Sequence, residues 1–194
     1  VDDNNYNYTG VEGYSSTEHT VTRTIEVTVN KARQTVILPT ASAITYGDAL
    51  SASILSDNAW TWVDVTLTPT VLNSGYQAKI TVDDNNYNYT GVEGYNPTEH
   101  TVIRTIEVTV NKATPTVTQP TVLTMDITYG KQLSDLQLSD GWNWVNGNTV
   151  PIVNNNGYQV VKNLTDDDNY NYSNLPGYTY NETEHTLIYT VGVN

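Results

Sequence analysis

The residues that could do chemistry in this chain recur together. Asp2-Asp3-Asn4-Asn5, Asp83-Asp84-Asn85-Asn86 and Asp166-Asp167-Asp168-Asn169 are three copies of one acidic stretch. Calcium takes roughly six to eight oxygen ligands, and clustered Asp and Asn side chains can supply several of them. The candidate ligands are Asp83, Asp84, Asn85, Asp166, Asp167 and Asp168, and calcium is the one cofactor the sequence admits. Adjacent carboxylates on an extended backbone diverge, however, and the spaced D-x-D-x-D-G loop is missing. The same residues therefore read more readily as a turn whose Asp and Asn side chains bond their own backbone.

A second candidate is the pair Trp60 and Trp62, which returns as Trp142 and Trp144. Residues two apart on a strand point to one face. Exposed, they would form a platform for a glycan or a host surface protein. Buried, they would supply the apolar mass of a core that has no Phe, and a small core needs them there. His19, His100 and His185 each sit in a Thr-Glu-His-Thr string. One His per repeat cannot assemble a multi-His metal site, so each is expected to be a polar residue at a strand entrance. No Ser, Cys or second acid recurs at a spacing that suits nucleophilic catalysis, so no catalytic residue is assigned and no enzyme is expected. Asn-x-Ser/Thr triplets such as Asn7-Tyr8-Thr9 and Asn88-Tyr89-Thr90 match the glycosylation sequon, as chance provides in an Asn- and Thr-rich chain.

What must position these residues is a repeat. Residues 1–32 return almost unchanged as 82–113, differing only at Ser15/Asn96, Ser16/Pro97 and Thr22/Ile103. A diverged third copy follows, with Ile44-Thr45-Tyr46-Gly47 returning as Ile127-Thr128-Tyr129-Gly130 and Gly75-Tyr76-Gln77 as Gly157-Tyr158-Gln159. A period of about 81 residues is too long for a solenoid unit and matches a small domain. The expected division is 1–32 as the C-terminal part of a preceding repeat, then domains 33–113 and 114–194. This places the junction after Asn-Lys-Ala, where Lys112-Ala113-Thr114-Pro115 leaves little freedom to bend, while a cut into 1–81 and 82–162 fits the arithmetic equally well and leaves the remainder at the C-terminus.

Composition narrows the partners. The 194 residues carry a net charge of −13, which argues against nucleic acid and anionic membrane. No segment has the apolar length of a membrane-spanning helix. There is no Cys to staple the small cores, and Tyr, with fifteen copies, is the commonest aromatic residue. The sequence sets no oligomeric state.

Alternation of period two is clearest in 101–111, where Val102, Arg104, Ile106, Val108 and Val110 share one face. The segment 20–30 has the same pattern. Tyr76, Ala78, Ile80 and Val82 form another inward set, 35–38 and 116–118 read as first strands, and Asn146-Gly147 signals a hairpin. Only 48–56 and 131–138 leave a short helix open. Six to eight short strands per repeat imply an all-β fold of tandem immunoglobulin-like antiparallel β-sandwich domains.

Pro115-Thr116-Val117, Ile127-Thr128-Tyr129-Gly130, Asp83-Asp84-Asn85-Asn86-Tyr87 and Val108-Thr109-Val110-Asn111-Lys112-Ala113 together resemble the bacterial Ig-like repeats of MBG type. The resemblance covers essentially the whole chain. It implies an extracellular location on the surface or wall of a Gram-positive bacterium, and a non-enzymatic stalk or adhesin array. The alternative it leaves is an adhesion module that binds glycan or host protein through Trp and Tyr.

Overall fold

The computed structural model describes residues 1–123 and 127–193; the last residue of the expected 114–194 domain, Asn194, lies outside them. Apart from two three-residue 3-10 turns, Leu50–Ala52 and Leu133–Asp135, every regular element among the described residues is a β-strand. The fold is all-β. Among the described residues no helix is long and apolar enough to cross a membrane.

The chain divides into two compact units, residues 1–35 with 83–90, and residues 36–82 with 91–194. In the first, Tyr14–Ser15 pairs antiparallel with Thr20–Val21, and Ala32–Arg33 pairs parallel with Tyr87–Asn88. The second contains two four-stranded antiparallel sheets of the same strand order. One runs Trp60–Trp62, Tyr76–Thr81, Thr101–Ile106, Tyr95–Asn96; the other runs Asn143–Trp144, Tyr158–Asn163, Thr186–Val191, Thr179–Asn181. Their registers also match, with Tyr76 opposite Ile106 in one and Tyr158 opposite Val191 in the other.

Strand parity follows the alternation in the sequence. Trp60 lies opposite Ile80 and Ile80 opposite Val102, while Trp62 lies opposite Ala78, so the two tryptophans share one face with Ala78, Val102 and Ile106. Ala78 and Val102 are fully enclosed there. The second sheet builds its core from Trp142, Val160, Leu187 and Val191. The two open helical stretches become the 3-10 turns, whose Leu50 and Leu133 are buried at 1% and 2% exposure.

Three expectations need correction. Residues 35–38 and 116–118 form no strand. The Asn146-Gly147 turn closes through Thr149 N–H to the Asn146 carbonyl, yet no second hairpin strand follows. There the main chain is taken by the 3-10 segment instead, with Ser134 N–H on the Gly147 carbonyl and Leu133 N–H on that of Thr149, each at 2.8 Å. The long strand over 101–111 is interrupted: Thr101–Ile106 pairs antiparallel in the sheet, whereas Val110–Asn111 pairs parallel with Ile44–Thr45. Its near-copy at 20–30 forms only the Thr20–Val21 strand and leaves Ile25, Val27 and Val29 at 80%, 78% and 86% exposure.

Candidate functional site

The acidic stretch is where the repeats fasten themselves. Its first carboxylate makes a local turn. Asp83 accepts from the Asn85 and Asn86 backbone N–H groups and from the Asn86 side chain. Asp2 does the same with Asn5, and Asp166 accepts the Asn169 side-chain amide. These hydrogen bonds, led by the one from the Asn86 side chain, hold the Asp83 carboxyl below the usual carboxylate range.

The second carboxylate turns inward to a Tyr and a His. Tyr180 donates its hydroxyl to Asp167 at 2.7 Å, and His185 Nδ1 lies 2.7 Å from the same oxygen. Tyr14 and His19 hold Asp3 in the same way at 2.6 Å. Asp84, Tyr95 and His100 repeat the residue types at the spacing of Asp3, Tyr14 and His19. All three histidines adopt a left-handed backbone, with φ of 54° at His19, 53° at His100 and 51° at His185. His tolerates that region better than most side chains, and the turn it makes swings the ring back over the carboxylate.

Charge follows geometry here. Burial pushes the Asp167 carboxyl up, but hydrogen bonds from Tyr180 and His185 and the His185 charge outweigh it, and the group titrates below its ordinary value. Tyr180 is pushed up to about 12, first by its hydrogen bond to Asp167 and then by burial. The same carboxylate raises His185 through the hydrogen bond and its charge. A raised folded-state pKa means that His185 stabilises fully below roughly pH 6.5 and loses that contribution as pH rises through the folded value. Asp167, lowered, stabilises above roughly pH 3.9 and loses its contribution as pH falls. The melting temperature is therefore expected to be highest between these limits and to decline on the alkaline side. His185→Asn, which keeps a left-handed turn residue, is expected to flatten that alkaline decline. An unchanged pH profile in this variant would show that the pair does not couple to stability.

The third element of the site is the Asn-Lys-Ala segment. The Lys112 ammonium donates to the Asp167 main-chain carbonyl at 2.7 Å. Ala113 N–H donates to the Asn169 carbonyl at 3.0 Å, and Asn171 N–H to the Ala113 carbonyl at 2.8 Å. The first unit contains the same construction: Lys31 donates to the Asp84 carbonyl, and Ala32 N–H and Gln34 N–H donate to the carbonyls of Asn86 and Asn88. In the second unit, Val71 N–H also donates to the Asn169 side-chain oxygen at 2.9 Å, and Tyr46 packs edge-on against Tyr170 with centroids 5.2 Å apart. The Asp166 charge raises the Tyr46 phenol. The whole arrangement is a clasp, in which a strand leaving one repeat seizes the acidic turn of the next.

The expected site residues are thus divided. Asp83 and Asp166 serve turns, Asp84 and Asp167 are buried, and Asn85 and Asp168 are exposed. Among the described residues no three His, Cys, Asp or Glu side chains converge as a metal-ligand set. Trp60, Trp62 and Trp142 lie in the core at 3%, 7% and 4% exposure, with Trp144 half-buried, so the buried alternative is the one the structure follows. Trp62 and Trp144 donate their indole N–H groups to the Ser53 and Leu136 carbonyls. The sequon asparagines also have a structural use. Asn7, Asn88 and Asn171 each accept the backbone N–H two residues on and so close an Asx turn.

Sequence reasoning missed the Asp–Tyr–His constellation because it weighed the histidines as metal ligands and not together with the acidic stretch. The usable signal was joint recurrence. Asp3 precedes Tyr14 by 11 residues and His19 by 16, and Asp167 precedes Tyr180 by 13 and His185 by 18, so the two-residue insertion falls between Asp and Tyr and leaves Tyr-to-His unchanged. Comparison of the chain with family models, with curated proteins and with solved structures returns no match.

Proposed function

We propose that the chain is a non-enzymatic structural stalk built from tandem Ig-like repeats of a bacterial cell-surface protein, with repeat domains over 33–113 and 114–194. The clasp is the observation that carries this proposal. Its recurring polar groups are spent on neighbouring main chain and on one carboxylate, which is how a scaffold uses polar residues. Lys31 on the Asp84 carbonyl and Lys112 on the Asp167 carbonyl fix the same junction twice. A repeat that carries its own fastening to the next can be duplicated without redesign, and the near-identity of 1–32 and 82–113 fits that use. The MBG-type resemblance supports a location outside the cell. The Trp-lined platform has no support in a buried position, so adhesion through Trp is not carried forward.

A stalk resists force repeat by repeat. Pulling single molecules from end to end is expected to give two separate unfolding events, each releasing roughly 270–290 Å of extended chain. Lys112→Ala is expected to lower the force of at least one event. A single event that releases the whole chain at once would overturn the tandem-domain stalk.

A further inference from the structure

The Asn-Gly turn that closes without a hairpin has a chemistry of its own. The chain has two Asn-Gly pairs, Asn146-Gly147 and Asn156-Gly157. In such a pair the main-chain nitrogen of the Gly can attack the side-chain amide carbon of the Asn, because the Gly has no Cβ to obstruct the approach. The fold treats the two pairs differently. At Asn156-Gly157 the attacking nitrogen is occupied: Gly157 N–H donates to the Asn155 side-chain oxygen at 2.8 Å. Asn155 is itself anchored, with its amide donating to the carbonyls of Ile152 and Val193. The middle repeat has the same lock, with Gly75 N–H on the Asn73 side-chain oxygen at 3.0 Å. At Asn146-Gly147 the nitrogen is free. Among the described residues neither the Gly147 N–H nor the Asn146 side chain makes a hydrogen bond, and Asn146 is exposed.

The middle repeat shows the turn with a carboxylate already in it. Asp64 and Val65 stand in the places of Asn146 and Gly147. Ser51 N–H donates to the Val65 carbonyl at 3.0 Å and Leu50 N–H to that of Leu67 at 2.7 Å, just as Ser134 N–H donates to Gly147 and Leu133 N–H to Thr149. The Asp64 carboxylate accepts the Thr66 backbone N–H at 3.0 Å and the Thr66 hydroxyl at 2.8 Å. An acid at this position therefore fits the turn, and the β-branched Val65 crowds the nitrogen that Gly147 leaves open.

We propose that Asn146 is a self-modifying site, which converts to aspartate and isoaspartate with water as the sole co-reactant. The Gly147 nitrogen attacks Cγ of Asn146, and the side-chain amide leaves as ammonia, carrying off the Gly147 proton. Water then opens the cyclic imide at either carbonyl. Opening at the main-chain carbonyl leaves the chain linked through the former side chain, so the main chain gains a carbon. Opening at the other restores a normal peptide bond and gives an aspartate placed like Asp64. The lengthened isoaspartyl chain displaces the Gly147 carbonyl from the Ser134 N–H and loosens the 3-10 turn that buries Leu133. The third repeat thus carries a slow clock that the middle repeat, with Asp64-Val65, lacks.

The second Asn-Gly pair supplies the internal control. The full chain is held folded at mildly alkaline pH, and conversion at each Asn is followed by peptide mass spectrometry. Asn146 is expected to convert at least about fivefold faster than Asn156, the ratio that one hydrogen bond on the attacking nitrogen supports. In urea that unfolds the chain, both nitrogens are free and the preference is expected to vanish. Gly147→Val, which copies Val65, is expected to stop conversion at Asn146 while the circular dichroism stays that of the parent. Aged chain is expected to exchange the Leu133 and Ser134 amides faster than a fresh Asn146→Asp chain does. Equal rates at the two Asn residues in the folded chain, or a preference that persists in urea, would overturn the proposal. The reaction needs neither a partner nor a load, so its failure leaves the single-molecule test of the stalk untouched.

Discussion

Trp142→Ala is expected to cost about 3–5 kcal/mol of stability. Trp142 is 4% exposed, stacks on Tyr178 with ring centroids 6.1 Å apart, and forms one buried cluster with Val160, Leu187 and Val191. Val160, Leu187 and Val191 are held in place by strand pairing, so the vacated volume is only partly refilled, which puts the substitution toward the upper end of the range. Urea unfolding followed by far-UV circular dichroism measures the loss, and hydrogen exchange assigns it to residues 127–193. A loss below about 1 kcal/mol would show that the ring is not packed as described.

The two indoles of each Trp-x-Trp pair also differ in kind. Trp144 donates its N–H to the Leu136 carbonyl at 3.0 Å, whereas the buried Nε1 atoms of Trp142 and Trp60 have no hydrogen-bond partner among the described residues. Trp142→Phe removes an unsatisfied donor along with some volume, so the two effects oppose each other. Trp144→Phe strands a carbonyl as well as losing volume. The Phe variant is therefore expected to be milder at 142 than at 144, although Trp142 is the more buried of the two.

Much of this core was legible because strand parity is local. Trp60, Trp62, Ala78, Val102 and Ile106 reach the same face simply by counting in twos, and the structure pairs them in that arrangement. Pairing itself is not local. The sequence Arg-Thr-Ile-Glu-Val-Thr-Val-Asn-Lys-Ala occurs at 23–32 and again at 104–113. At 104–113 its Ile106, Val108 and Val110 are buried, while Ile25, Val27 and Val29 at 23–32 are exposed. Identical residues meet opposite fates because a strand is completed by neighbours distant in sequence, which periodicity does not name. The Asn-Gly hairpin failed for a related reason: main-chain groups on the far side of the turn were claimed by Leu133 and Ser134.

The candidate site was half legible in the same sense. The acidic stretches, the histidines and the Asn-Lys-Ala junction all stood out by recurrence, and Lys112 was visible as a repeated residue at a boundary. What tied them together was hidden by two features of geometry. A His with φ near 50° sits in a turn, where counting in twos says nothing of direction, and its ring lies against Asp167. The Lys contact is to a main-chain carbonyl, which leaves no trace in side-chain chemistry.

The glycines of the Gly-Val-Glu-Gly-Tyr turn separate two costs that usually come mixed. Gly94 has φ of 78°, and a Cβ built there would lie 1.9 Å from the Ile103 carbonyl oxygen. That carbonyl belongs to the Thr101–Ile106 strand, and Ile103 N–H is itself fixed to the Gly94 carbonyl at 2.9 Å. Relief would require moving one main chain away from the other and giving up that bond. Gly91 has φ of 87° but nothing within 4 Å of its Cβ position. Gly91→Ala is thus expected to cost only the left-handed backbone penalty, about 1–2 kcal/mol. Gly94→Ala adds the clash and the loss of the hydrogen bond, so an effect of about 3 kcal/mol or more is expected, enough to detach the Tyr95–Asn96 strand from the sheet. Hydrogen exchange at Ile103 reads the detachment directly, because its N–H is the one that spans the turn. Equal losses in the two variants would mean that dihedral strain alone sets the cost and that the close approach at Gly94 is relieved by a small shift of the chain.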